Sequence, residues 1–65
     1  MTIKELKSGD FFTFGPVKAE AKESQVWIRR DYDSAEKKYW CEKFSDMNCG
    51  KYVRGDREIN TEFIF

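Results

Sequence analysis

The stretch from Gln25 to Phe44, QVWIRRDYDSAEKKYWCEKF, narrows the possible folds more than any other part of this chain. Val26, Trp27 and Ile28 open it, and Tyr39, Trp40 and Cys41 stand near its end. Such β-branched and aromatic residues fit a pleated, half-buried surface. Between them lies polar Asp33-Ser34-Ala35-Glu36-Lys37, which suits an exposed turn. The stretch therefore reads as two strands folded back on each other. The connecting segment has no Gly, so a loop longer than a tight two-residue turn is expected.

Turn residues punctuate the rest of the chain at short intervals. Ile3 and Leu6 are spaced for one helical turn, and Ser8-Gly9-Asp10 reads as a turn. Asp10 to Phe14 forms a first strand, with Phe12 and Phe14 on one face and Phe11 and Thr13 on the other. Gly15-Pro16 stops it, because Pro cannot donate to a central ladder. Val17 to Ser24 is too short for a stable isolated helix and reads as an exposed loop with at most one helical turn. The second strand runs from Gln25 to about Tyr32 and the third from about Lys38 to Phe44. Ser45 to Gly50 reads as a loop. Lys51 to Arg54 is a fourth strand, with Gly55-Asp56 in place for a type II′ turn. Arg57 to Asn60 returns, and Thr61 to Phe65 is a last strand.

Five or six short strands in 65 residues specify one small β domain, residues 1–65. The expected fold is all-β: a five- to six-stranded antiparallel SH3-like barrel, or a strongly curled sheet. An OB-like barrel also fits, but the length favours the SH3-like class. A domain this small needs large buried side chains. The 17% aromatic content supplies them, at roughly 150–250 Å² of burial each. The expected core is Phe12, Phe14, Val26, Ile28, Tyr39, Val53, Ile59 and Ile64.

Taken together, LKSGDFFTF, ESQVWIRRDYDSAEKKYWC, FSDMN and the closing TEFIF resemble a family of short bacterial proteins, known mainly from genomes of gut anaerobes, that has no assigned activity. The resemblance covers most of the chain. It implies a bacterial source and a stand-alone small domain, and it adds no catalytic residue.

Composition argues against chemistry at a single site. The chain has no His, the commonest general base and neutral metal ligand. Cys41 and Cys49 supply two of the four ligands that a closed zinc site needs. The carboxylates of Asp31, Asp33 and Glu36 lack the spacing and central Gly of a calcium loop. Arg54-Gly55-Asp56 spells an adhesion tripeptide but is most simply a turn. No enzymatic role, metal or cofactor is expected. No apolar run is long enough to span a bilayer, and no signal-like hydrophobic region follows Met1. A cytoplasmic location is expected, with both cysteines as free thiols; their even number also permits a disulfide.

A binding surface is the better candidate. If Val26 and Ile28 point inward, Trp27 and Arg29 point outward. If Tyr39 and Cys41 point inward on the next strand, Trp40 joins them, with Lys38 nearby. Trp and Arg are enriched at binding hot spots. The expected function is a small interaction module that binds a protein partner or its own copy through Trp27, Arg29, Trp40 and Lys38. Aromatics beside basic groups also suit base stacking, so a single-stranded nucleic acid is the runner-up. A net charge of zero counts against it.

Overall fold

A computed structural model describes residues 1–17 and 20–64. Its centre is an antiparallel meander of four strands in the order β1-β2-β3-β4. These are β1 (Phe11–Phe12), β2 (Trp27–Asp33), β3 (Lys38–Lys43) and β4 (Asp46–Val53). Single turns of 3-10 helix at Ile3–Glu5 and Glu23–Gln25 accompany them. The sheet is not closed. Where five or six strands were expected, four form among the described residues. The segments after residue 56 contribute isolated bridges instead, Thr2 with Glu58, Thr13 with Asn60 and Glu20 with Ile64.

The central hairpin forms as its composition requires. Residues 34–37 connect β2 to β3, and Asp33 pairs with Lys38 across the end of the ladder. Asp33 Oδ1 accepts the backbone N–H groups of Ala35 and Glu36, and the N–H of Lys37 bonds to the Asp33 carbonyl at 2.7 Å. An Asp side chain thus organises a turn that has no Gly, and Lys37 takes the left-handed conformation, φ 57°. The β3–β4 connection is tighter than the sequence suggests. Lys43 already pairs with Asp46, so the expected Ser45–Gly50 loop belongs largely to β4. The next β3 pair is Glu42 with Gly50, which leaves Met47, Asn48 and Cys49 unmatched and exposed. That irregularity carries the turn formers of FSDMN, and Asp46 Oδ1 accepts the Asn48 N–H within it. The Gly55-Asp56 turn forms, closed by Arg57 N–H to the Arg54 carbonyl. Gly55 does not have the positive φ of a type II′ turn. What it supplies is room: a Cβ there would lie 3.1 Å from the Tyr39 ring.

Side chains pack on both faces of the sheet. On the inner face Ile3, Leu6, Phe12, Cys41, Val53 and Ile59 form the core, with Phe14, Trp27 and Tyr39 packed against it. The chain ends supply much of that cover. Ile3 N–H donates to the Arg57 carbonyl, Lys4 N–H to Gly55 and Ile59 N–H to Met1, which lays the first residues along residues 55–59. Thr13 and Asn60 exchange both backbone hydrogen bonds, at 2.9 and 2.8 Å. On the outer face Phe11 and Phe44 meet edge to face, with ring centroids 5.6 Å apart. One ring comes from β1 and the other follows β3, so the pair spans β2 and roofs Val26 and Ile28, both buried.

The expected core is correct for Phe12, Val26, Ile28, Val53 and Ile59, while Phe14 and Tyr39 are partly buried. Ile64 is 71% exposed, because its bridge to Glu20 holds the backbone and leaves the side chain outside. Among the described residues no helix is long and apolar enough to cross a membrane.

Candidate binding surfaces

Register decides where the four expected binding residues go. Arg29 pairs with Cys41 and Phe12 with Trp27, so Trp27 and Arg29 lie on the inner face. Ile28 pairs with Glu42, which puts β3 residues of even number on the outer face. Trp40 and Lys38 are there. The expectation of one exposed face carrying Trp27, Arg29 and Trp40 is therefore corrected: the quartet is split between two faces. Neither indole is fully exposed. Reading Val26 and Ile28 as inward placed them on the Cys41 side, whereas they are buried on the opposite face, where Phe11 pairs with Ile28.

The outer face holds a polar and aromatic cluster. Trp40 lies edge to face against Tyr52, with centroids 5.0 Å apart, and donates its indole N–H to Glu42 at 3.3 Å. The other Glu42 oxygen takes Arg30 Nε at 2.8 Å. These two donors hold the Glu42 carboxyl below its usual range, Arg30 first and Trp40 second. The Tyr52 hydroxyl donates to Asp33 at 3.0 Å. Arg30, Trp40, Glu42, Tyr52 and Asp33 thus engage one another, and the cluster reads as a stabilising network.

The inner face opens beside β4. Phe14, Trp27 and Phe12 form a chain of edge-to-face rings, with Phe14 at 5.1 Å from Phe12 and 5.2 Å from Trp27. Lys51 Nζ stands 4.4 Å above the Phe14 ring and 5.1 Å from Trp27, and the Arg57 guanidinium stands 5.2 Å from Phe14. Arg29 lies 4.3 Å over Tyr39, and its Nε is buried without a hydrogen-bond partner. Among the described residues none of these three cations forms an ion pair. The acids along the rim are occupied: Asp56 pairs with Arg54, and Glu58 with the N-terminal amine. Between the end of β4 with Arg54 and residues 56–58 runs an open groove of about 450 Å³ with Phe14 in its lining.

Cys41 sits under this face, fully buried, and Cys49 is exposed; both are free. Burial pushes the Cys41 thiol up to about 11, against the opposing pull of Arg29 and Lys51. A thiol so protonated is a core residue with little nucleophilic character.

Sequence reasoning missed Phe14, Lys51 and Arg57 as surface-forming residues. They come from three separate segments, and no local spacing links them. No protein-family model, curated protein or solved structure matches this chain.

Proposed function

We propose that this chain is a small SH3-like interaction module, bacterial and cytoplasmic, that binds an extended segment of a protein partner or of a second copy along β4. The observation that carries this reading is the outer edge of β4. The strand is eight residues long and last in the sheet order, and among the described residues no backbone hydrogen bond is made to that edge. Unpaired edges are templates for strand addition, in which backbone bonds give affinity and alternate side chains give specificity. The groove runs beside the same residues. The SH3-like part of the proposal is supported by the Thr13–Asn60 exchange, which returns the C-terminal segment to β1.

Trp27, Arg29, Trp40 and Lys38 keep distinct places in this reading. Trp27 and Arg29 share the inner face with Lys51 and Phe14, while Trp40 and Lys38 lie on the outer face. Single-stranded nucleic acid is the second reading, on the positive charge of Lys51 and Arg57 along the groove. Backbone amide titration by NMR separates the two. Strand addition moves Lys51, Tyr52 and Val53 amides and slows their hydrogen exchange on adding an extended peptide. Protection confined to other strands would overturn it.

A further inference from the structure

We infer that the segment β4 accepts is acidic, with a carboxylate side chain directly opposite Lys51. This rests on the strand-addition reading and names the chemistry of its ligand. Lys51 pairs with Cys41 and Val53 with Tyr39, so both β4 side chains lie on the inner face. A residue facing Lys51 from an added strand would put its own side chain on that same face, roughly 4.5–5.5 Å away between Cβ atoms. It would enter the groove between β4 and residues 56–58, where Lys51 and Arg57 converge on the ring of Phe14.

Charge complementarity selects the ligand. Lys51, Arg57 and Arg29 present three cations on this face with no ion-paired acid among the described residues. The two acids nearest the groove, Asp56 and Glu58, are each held by another cation. A Glu or Asp side chain would supply the missing counter-charge, and the aromatic floor would cover the methylene stem of a Glu. The geometry disfavours a nucleic acid in the same place. Lys51 and Arg57 already stand over the ring faces on which bases would have to stack. On the outer side, the next position of the added strand would face Tyr52, whose hydroxyl is committed to Asp33. Specificity therefore falls on the Lys51 position.

The test uses three synthetic ten-residue peptides that alternate Val with Glu, with Gln or with Lys, and a thymidine oligonucleotide of similar length. Each is titrated into the isotope-labelled protein. The Glu peptide is expected to shift Lys51–Arg54 amides and to bind about five- to tenfold more tightly than the Gln peptide, the scale of two partly exposed charge contacts. Lys51→Gln with Arg57→Gln should remove that preference, and Lys51→Arg should retain it. Equal binding of the Glu and Gln peptides overturns the acidic preference and leaves strand addition standing. Failure of all three peptides overturns both. Binding of the oligonucleotide at these residues in preference to the Glu peptide assigns the cations to phosphate and overturns the inference.

Discussion

The indole of Trp40 lies directly on Gly50: a Cβ built at residue 50 would fall 2.9 Å from Cε2 and Cη2 and closer still to Cζ2. Gly50 does not have a positive φ, so the requirement is for space and not for backbone freedom. Gly50→Ala should cost about 1–3 kcal/mol through overpacking. The loss should shrink when Trp40→Ala is already present, because the clash partner is gone. A double-mutant cycle by denaturant titration measures this coupling. Equal losses in the two backgrounds would show that the ring is free to move aside.

Ile3 is fully buried in the core although its sequence context resembles a lead-in. Ile3→Ala should cost about 2–5 kcal/mol, the usual range for truncating a buried aliphatic. A loss on the scale of a surface change, about 0.5 kcal/mol or less, would mean that the first residues do not close the core.

Lys37 holds φ at 57°, a conformation that disfavours side chains with a Cβ. Lys37→Gly should stabilise the protein by about 0.5–1 kcal/mol, after allowing for the greater freedom of Gly in the unfolded chain. Thermal melting provides the comparison, and destabilisation would place the residue outside the left-handed region in solution.

Cys41 and Cys49 should separate by reactivity. Native protein should take one alkyl label, on exposed Cys49, and a second only after denaturation. The thiol of Cys41 also couples stability to alkaline pH. Its native value, about 11, exceeds the ordinary 9.0. Its contribution is therefore complete below about 9 and is lost as pH rises toward 11. Cys41→Ala should flatten that part of the stability profile, as read by urea titration at stepped pH.

Asp33 links the hairpin turn to acid. The N–H of Glu36, the Tyr52 hydroxyl and the N–H of Ala35 hold its carboxyl below the ordinary 3.8. That contribution is present above 3.8 and is lost as pH falls through the lower native value. The same hydrogen bond raises Tyr52 above its ordinary 10.0. Asp33→Asn should weaken the fall in melting temperature over this acid range and return the Tyr52 titration toward its ordinary value. An unchanged Tyr52 titration would mean that the hydroxyl does not donate to Asp33.

Local chemistry was enough to determine the central hairpin. Asp33 ahead of a Gly-free polar run specifies a side-chain-organised turn, and the flanking Trp27–Ile28 and Tyr39–Cys41 specify strands. The first strand, expected to run to Phe14, ends at Phe12, whereas the positions of the turns at Ser8-Gly9-Asp10 and Gly55-Asp56 and the burial of Phe12 and Ile28 follow from composition and spacing in the same way. Pairing register did not. Alternation within β2 says that Trp27 and Ile28 face opposite ways, but not which of them shares a face with Cys41. The four-residue turn, the irregularity between Arg29 and Tyr32, and the Phe11–Phe44 roof settle that together. A shift of one residue moves every side chain of a strand to the other face, and the start of β2 carries apolar side chains on both faces, Trp27 on one and Ile28 on the other. The groove is further from the sequence still. Phe14, Lys51 and Arg57 meet only because the chain ends fold over the sheet and leave β4 uncovered. That arrangement belongs to long-range pairing, which no window of neighbouring residues encodes.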